Sequence, residues 1–269
     1  MIKKILNNLK KPHLIPFKIL YRLEFFYKKK AYNHNLFEER QNNIFKKLNL
    51  DRNLGLTKLD DLKEKNSFLN REMSSEHEVL FSSLSIKTDT KIKEILEIGT
   101  FDGLNANLLS LLFKDSNVDT IDLKSSEANF KNFYNRNDKV EEFIKFREKN
   151  LAKNDKINFQ ETNSINLINA NKKYDLIWID GAHGYPMVCI DIINSLRLIN
   201  KNGFIICDDV YTSQINSDKI YNSYGAYETL EELKKENLIW FNLIYKRLDP
   251  SSNCLEKKRK FVAIFKKVN

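Results

Sequence analysis

The sequence predicts an α/β fold in which a mostly parallel sheet carries helices on both faces and ends in an antiparallel hairpin. Between residues 92 and 207, short and almost continuously apolar runs alternate with longer segments of helical periodicity. Such runs are typical of parallel strands that are buried on both faces. Near the C-terminus two further apolar runs are separated only by a charged loop, which predicts the hairpin.

The predicted elements follow one another at the spacing of βα units. A helix is expected from Ser74 or Ser75, because Ser75-Glu76-His77-Glu78 resembles a capping box, and His77 is expected on its surface. Strands are predicted over residues 92–98, 118–123, 157–160, 174–180, 204–207, 238–245 and 261–265. Helices are predicted over residues 104–113, in a charged region up to about residue 149, and over 187–199 and 227–236.

The formal net charge of +9 is concentrated at the N-terminus. Residues 1–50 contain 12 basic and 3 acidic residues, whereas the rest of the chain contains 33 of each. A generally basic nucleic-acid-binding domain is therefore disfavoured. We predict a basic, mainly helical extension over residues 1–70, in which residues 51–70 form a linker, and one domain over residues 71–269. Residues 1–50 could bind an anionic membrane surface, cover a substrate site or pair with a second subunit as a homodimer.

The composition predicts a globular, cytoplasmic protein. Hydrophobic residues make up 42% of the chain and charged residues 30%. No apolar run reaches the roughly 18 residues of a membrane span, and the N-terminus lacks the features of a signal peptide. Cys189, Cys207 and Cys254 form no close pair, so neither a disulfide framework nor a zinc site is expected. Any membrane contact would be at the inner face, through the basic segment.

Scarce glycines mark the first candidate site. Only seven occur, and Gly99 and Gly103 lie between the first predicted strand and the helix after it, in the segment Glu-Ile-Gly-Thr-Phe-Asp-Gly-Leu-Asn from Glu97 to Asn105. This pattern allows a tight turn and the close approach of a ligand to a helix N-terminus. It differs from the dinucleotide fingerprint Gly-x-Gly-x-x-Gly, because Phe101 takes the middle position. An ordinary tight turn is the alternative.

Acidic residues follow three of the predicted strands. Asp122 ends the second strand, where an acid suits a ribose diol or a helix N-cap. Asp180 ends the fourth strand and Asp208-Asp209 the fifth, so three carboxylates are expected at one edge of the sheet. Close carboxylates repel unless one is protonated or a metal is bound, and oxygen ligands favour Mg²⁺. Capping roles are the alternative.

His183 lies three residues after Asp180. At that distance along the chain it is placed to accept a proton near the predicted metal. A histidine that merely orients the loop is an equal alternative.

From about residue 70 onward the chain resembles the class I S-adenosylmethionine-dependent methyltransferases, which have a Rossmann-like seven-stranded sheet. Within this class it is similar to the metal-dependent O-methyltransferases, and the bacterial branch that acts on sugars and antibiotic precursors is nearest. The segment from Glu97 to Gly103 resembles the family's first motif. Met73-Ser-Ser-Glu76 resembles its donor-binding Met-Thr-Ser stretch. Asp180 and Asp208-Asp209 resemble its metal ligands, and His183 stands where the catechol branch has a lysine.

The resemblance implies a role for each matching residue. The methionine part of S-adenosylmethionine would lie against Gly99 and Gly103, and Asp122 would hold its ribose hydroxyls. Further donor contacts are implied for Met73, Ser75, Glu97, Phe101, Asn105, Asn163, Ser164 and Asp180. The divalent metal would be bound by Asp180, Asp208 and Asp209. His183 or Asp180 would accept the proton.

The function implied is Mg²⁺-assisted transfer of a methyl group to a hydroxyl of a small molecule or sugar, such as a surface glycan or natural-product precursor. An NAD-dependent oxidoreductase would also use a glycine turn and an acid, but Phe101 and the Asp208-Asp209 pair argue against it. A non-catalytic S-adenosylmethionine-binding protein is disfavoured by the intact acidic set. A nucleic-acid methyltransferase is disfavoured by the neutral body and by the lack of an Asn/Asp-Pro-Pro-aromatic motif.

Overall fold

A computed structural model describes residues 15–71, 75–87, 91–132, 139–213, 224–256 and 259–268. Its centre is one seven-stranded sheet with the strand order β3-β2-β1-β4-β5-β7-β6. The strands are β1 Glu94–Ile98, β2 Asn117–Asp122, β3 Ile157–Glu161, β4 Tyr174–Ile179, β5 Ile199–Val210, β6 Ile239–Tyr245 and β7 Phe261–Lys267.

The α-helices of the described residues flank this sheet. They are α1 Ile15–Lys30, α2 His34–Lys47, α3 Arg52–Lys65, α4 Glu76–Ile86, α5 Leu104–Leu112, α6 Ala128–Asn132, α7 Val140–Leu151, α8 Met187–Leu198, α9 Gly225–Lys235 and α10 Pro250–Asn253. Two short 3₁₀ helices add Ser67–Leu69 and Ser164–Asn169.

The pairing of the strands confirms the predicted fold class. β1 to β5 pair in parallel, and β7 runs antiparallel to both β5 and β6, so the last two strands form the expected hairpin. Ile98 pairs with Ile121 on one side and with Ile179 on the other, and Ile179 pairs with Cys207. The carboxyl ends of these four strands are therefore level, and the residues that follow them gather at one edge.

Apolar residues of the central strands face alternate sides and fill two cores. Trp178 and Ile206 lie in the core beneath α4 and α5, whereas Ile177 and Ile205 lie in the core beneath α8 and α9. Because both faces are covered, residues 95–98, 176–179 and 203–210 are all buried. The sequence shows a continuous apolar run for this reason, not an alternation.

The linker predicted over residues 51–70 was wrong, because most of this segment is helix α3. Asp51 caps the helix by accepting a hydrogen bond from the Leu54 backbone N–H at 3.0 Å. The helix crosses α4 so closely that a Cβ on Gly55 would lie 2.0 Å from Ser83 Oγ. Leu59 is buried in the same core as the central strands. The frequent charges of this segment cover its outer face and hide the apolar contact.

The N-terminal segment divides into a packed part and an exposed part. Phe45 of α2 is fully buried in the main core, and Gln41 of the same helix is also buried. By contrast, Ile19, Leu20, Leu23, Phe26 and Tyr27 of α1 are exposed. The domain boundary drawn at residue 70 stays a prediction, but residues 34–69 pack against the body of the molecule.

Candidate functional site

The turn after β1 has a backbone that glycine alone adopts without strain. Gly99 has φ +103°, and a Cβ there would lie 2.3 Å from the Asp180 carbonyl oxygen. Gly103 has φ +76°, and its Cβ would lie 2.9 Å from the Leu151 side chain. Both conformations belong to the left-handed region that favours glycine. Gly99 therefore allows the close approach of the ends of β1 and β4, and Gly103 allows the start of α5 to approach α7.

A buried carboxyl group lies directly beneath this turn. Glu97 is fully buried and accepts hydrogen bonds from Asn105 Nδ2 at 2.8 Å and from Thr120 Oγ1 at 2.5 Å. Burial raises the pKa of Glu97 to about 7, although both hydrogen bonds favour the ionised form. No cation compensates it at hydrogen-bond distance among the described residues.

Asp122, at the end of β2, lies beside the same turn. Its Oδ2 accepts a hydrogen bond from the Phe101 backbone N–H at 3.0 Å, and its Oδ1 accepts one from the Leu123 N–H at 2.8 Å. Phe101 has φ +49°, and its ring packs 5.4 Å from that of Phe143. The structure therefore brings Asp122 and the glycine turn together, as the sequence predicts.

Three further residues that the sequence predicts as donor contacts form hydrogen bonds within the protein. Asn163 caps a 3₁₀ helix through a hydrogen bond from Ile165 N to its Oδ1 at 3.1 Å. Ser164 accepts a hydrogen bond on its carbonyl from Asn194 at 3.4 Å. Ser75 Oγ lies 2.8 Å from His77 Nδ1 and 3.3 Å from the Lys246 carbonyl oxygen. Met73 lies outside the described residues.

The acids after β4 and β5 meet at the same edge of the sheet. Asp180 Oδ1 lies 3.5 Å from His183 Nε2. Loss of hydration, followed by the neighbouring Asp208 carboxylate, raises the pKa of Asp180 well above its ordinary value. The pKa of Asp180 is raised even though 35% of its side chain is exposed. Asp209 has φ +52° at a bulge of β5, which turns consecutive acids to the same site. The predicted cluster of three carboxyl groups is therefore present.

Two lysines that sequence reasoning missed compensate these acids. Lys246, which follows β6, donates to Asp208 Oδ2 and to Asp209 Oδ1, and Lys260, which precedes β7, donates to Asp209 Oδ2. Burial opposes ionisation of Asp208, but the Lys246 ammonium outweighs it and holds the pKa of Asp208 below its ordinary value. The lysines lie 38 and 51 residues from the acids that they contact. Only the pairing of β5, β6 and β7 brings them together.

The donor set does not fit the divalent metal that the sequence predicts. Across the described part of the chain, no three His, Cys, Asp or Glu side chains are arranged to hold a metal ion. Both carboxylate oxygens of Asp209 accept hydrogen bonds from lysines, and one oxygen of Asp208 does so as well. A divalent cation would meet ammonium groups at these same oxygens, and like charges repel.

Two histidines border the acidic cluster. Burial lowers the pKa of His183, which is 7% exposed, so its imidazole is neutral near pH 7. His77 was predicted on a helix surface, and this was wrong. It is buried, its ring lies 4.8 Å from that of Trp178, and burial lowers its pKa to about 4. The first turn of α4 faces the sheet, and the local capping pattern does not reveal that orientation.

Asp191 is a second acid that sequence reasoning missed. It is fully buried on α8, and a Cβ on Gly181 would lie 3.7 Å from its Oδ2. Burial raises its pKa to about 6. The available signal was an acid on the apolar face of a predicted helix. Asp191 lies beneath the loop that carries Asp180 and His183.

The comparisons with known proteins agree with this geometry. Residues 96–210 match the family model described as a methyltransferase domain. These residues contain the end of β1, the glycine turn, Asp122 and the acidic cluster. The matched segment therefore carries a methyltransferase domain, and the seven-stranded sheet with its C-terminal hairpin has the fold of the class I methyltransferases.

The solved structures support the fold. The chain is similar to the O-methyltransferase TomG from Streptomyces achromogenes, which is involved in tomaymycin synthesis. The two sequences are 15% identical, the match covers 86% of this chain and 98% of that chain, and the TM-score is 0.53. It is also similar to a Staphylococcus aureus protein assigned as a caffeoyl-CoA O-methyltransferase, with 21% identity over 78% and 90% of the two chains and a TM-score of 0.53. A search of curated protein sequences found no match.

Proposed function

We propose that this chain is an S-adenosylmethionine-dependent O-methyltransferase whose donor binds on the turn between β1 and α5. The observation that carries the proposal is the combination of the left-handed Gly99 and Gly103 with Asp122 at the adjacent strand end. These residues lie within the segment that matches a methyltransferase domain. The structurally similar TomG was solved in complex with S-adenosylmethionine.

Each residue of the turn has a physical role in this proposal. The glycines leave room for a ligand against backbone N–H groups at the start of α5, and the helix N-terminus favours a carboxylate. The Asp122 carboxylate is oriented by two backbone N–H groups, and a carboxylate is a suitable acceptor for the ribose hydroxyls. Lesser donor contacts are proposed for Met73, Ser75, Glu97, Phe101, Asn105, Asn163, Ser164 and Asp180.

The acidic cluster lies where an acceptor hydroxyl would meet the donor. S-adenosylmethionine supplies a methyl group on a positively charged sulfur. His183 is neutral near pH 7, because burial lowers its pKa, so its ring can accept the hydroxyl proton as the new O–CH₃ bond forms. Asp180 Oδ1 lies 3.5 Å from Nε2 of this histidine. Asp180 is the alternative base. Assistance by Mg²⁺ stays a prediction of the sequence and is not part of this proposal.

The proposed acceptor is a hydroxyl of a small molecule or sugar. Tyr211 follows β5, is only 4% exposed and lies with its ring 5.5 Å from Lys260 Nζ. It therefore closes one side of the acidic cluster. The similarity to O-methyltransferases of small molecules supports this class of acceptor.

Isothermal titration with S-adenosylhomocysteine tests the donor site. We expect one molecule bound per chain and no comparable binding of NADH. The variant Asp122→Asn should bind more weakly, whereas Asp115→Asn, on an exposed loop, serves as the matched control. Binding of NADH without binding of S-adenosylhomocysteine would favour the oxidoreductase alternative and overturn the proposal.

We further propose that helix α1 contacts an anionic membrane surface. Ile19, Leu20, Leu23, Phe26 and Tyr27 are 52–77% exposed and share one face at helical spacing. The last turn carries Lys28, Lys29 and Lys30. This combination of an apolar face and basic residues is typical of helices that lie in a membrane interface. No described helix is both long and apolar enough to cross a bilayer.

Sedimentation with vesicles tests the role of α1. The intact chain should bind vesicles that contain phosphatidylglycerol and not pure phosphatidylcholine vesicles. The double variant Leu23→Ser with Phe26→Ser should lose this binding, whereas Leu54→Ser, equally exposed on α3, should keep it. If the intact chain does not bind, or if the double variant instead dissociates a homodimer, the membrane contact is excluded.

A further inference from the structure

We propose that the acidic cluster works without a divalent cation, because Lys246 and Lys260 supply the positive charge that the acids need. This inference rests on the proposed function, since it concerns the same acceptor site. It departs from the metal site that the sequence pattern predicts. The observations that carry it are the contacts of the two ammonium groups and the way in which the backbone fixes Lys246.

Three of the four carboxylate oxygens of the Asp208-Asp209 pair accept hydrogen bonds from lysines. Lys246 Nζ contacts one oxygen of each acid, and Lys260 Nζ contacts the second oxygen of Asp209. Within the described residues, Asp208 Oδ1 is the one oxygen of this pair without a hydrogen-bond partner. A cation bound by both acids would therefore compete with at least one of the two ammonium groups for an Asp209 oxygen.

Lys246 is built into the site and cannot easily leave it. Its side chain is 12% exposed. Its backbone N–H donates to the Lys260 carbonyl at 3.0 Å, and its own carbonyl accepts from the Glu76 N–H at 2.9 Å and from Ser75 Oγ. The same residue thus joins β6, β7 and the N-terminus of α4. Displacing its ammonium group would leave a charge in a buried position.

The Lys246 ammonium can supply the positive charge that a metal ion would otherwise bring to the acceptor oxygen. Lys246 has three N–H donors, of which two go to Asp208 and Asp209. The third can be donated to an acceptor oxygen next to Asp180. A positive charge at that oxygen stabilises the negative charge that develops as its proton leaves.

Titration with Mn²⁺, followed by electron paramagnetic resonance in the presence of S-adenosylhomocysteine, tests the inference. The wild type should bind Mn²⁺ no more tightly than about 1 mM. Lys260→Ala and Lys246→Ala should each bind it at least about tenfold more tightly, because the freed carboxylates can then act as ligands. Adding Asp208→Asn to Lys260→Ala should remove this gain.

Lys235→Ala is the matched control, since it removes a surface lysine that also contacts a carboxylate, Glu232. It should leave Mn²⁺ binding unchanged. If Lys246→Ala fails to fold, the more exposed Lys260 keeps the test intact. Micromolar Mn²⁺ binding by the wild type that Asp208→Asn abolishes would overturn the inference. Failure of the proposed function would instead appear as no binding of S-adenosylhomocysteine by the wild type.

Discussion

Glu97 of β1 and Asp208 of β5 are buried acids on either side of β4, but they are stabilised in opposite ways. Glu97 has only uncharged partners, Asn105 and Thr120, and its pKa rises to about 7. Asp208 contacts the Lys246 ammonium, and its pKa falls below the ordinary value. Burial disfavours the charged form of both groups. The presence of a cation at hydrogen-bond distance therefore decides whether a buried carboxyl group in this molecule is ionised.

The candidate site has two halves, which are stabilised by different interactions. The half around Glu97 depends on neutral hydrogen bonds and on backbone conformation. The half around Asp208 depends on charge that arrives from a distant part of the chain. The two halves should respond differently to the loss of a lysine, to pH, to added side-chain volume and to the loss of a single acceptor.

Removing Lys246 should have the largest effect. Lys246→Met leaves Asp208 and part of Asp209 as buried charges without their partner, and breaking a buried ion pair in this way costs about 3–5 kcal/mol. Urea unfolding at pH 7 measures the loss in the free energy of unfolding. Lys235→Met removes an exposed pair and should leave the free energy of unfolding almost unchanged. Equal losses in both variants would show that Lys246 does not compensate a buried charge.

The stability contributed by Glu97 should depend on pH in a defined direction. Its folded pKa, about 7, lies above its ordinary value of 4.5, so the folded state binds more protons between these values. The stability that Glu97 contributes is therefore greatest below about pH 4.5 and is lost as the pH rises through 7, by about 3 kcal/mol in total.

Comparison with Glu97→Gln isolates this effect, because other acids also titrate in the same range. Unfolding free energies at pH 5, 6, 7 and 8 should fall more steeply for the wild type than for the variant. Parallel curves would mean that Glu97 is ionised throughout and that the contrast with Asp208 fails.

Gly99 should tolerate a methyl group less well than Gly181. Gly99→Ala forces a Cβ to within 2.3 Å of the Asp180 backbone at positive φ, whereas the nearest atom at Gly181 is 3.4 Å away. Such strain costs on the order of 1–3 kcal/mol. Thermal unfolding and S-adenosylhomocysteine titration of both variants measure it. A larger loss at Gly181 would contradict the close approach of β1 and β4.

Asp122→Asn should have the smallest effect of the series on the fold and a moderate effect on binding. The variant keeps one acceptor oxygen but loses the charge, which corresponds to about a tenfold weaker affinity for S-adenosylhomocysteine. Titration calorimetry gives the affinity, with Asp115→Asn as control. Unchanged binding would remove Asp122 from the donor site.

The half of the site around Glu97 could be predicted from the sequence because its causes are local. Gly99 and Gly103 are required by the backbone of a single turn, and Asp122 ends the next strand of the same unit. The continuous apolar runs also predicted the parallel sheet. The helix α3 was missed because its charged residues obscure the contact of Gly55 with Ser83, which no local pattern reveals.

The half of the site around Asp208 could be predicted only in part. Strand ends locate Asp180, Asp208 and Asp209 correctly, because parallel strands end at one edge. Their counter-charge comes from Lys246 and Lys260, in the hairpin at the far end of the chain. Nothing in the sequence near the acids indicates these lysines, so a metal ion was the simplest expectation. Tertiary pairing of β7 with β5 and β6 supplies the missing charge.

A crystal structure of the chain with S-adenosylhomocysteine, grown in the presence of Mg²⁺, tests the central claim most directly. The account predicts the ligand on the turn at Gly99, with a ribose hydroxyl within hydrogen-bond distance of Asp122 and with Lys246 still in contact with Asp208 and Asp209. A ligand bound elsewhere would contradict the donor site. A Mg²⁺ ion between the three acids, with Lys246 displaced, would contradict the compensation by lysine.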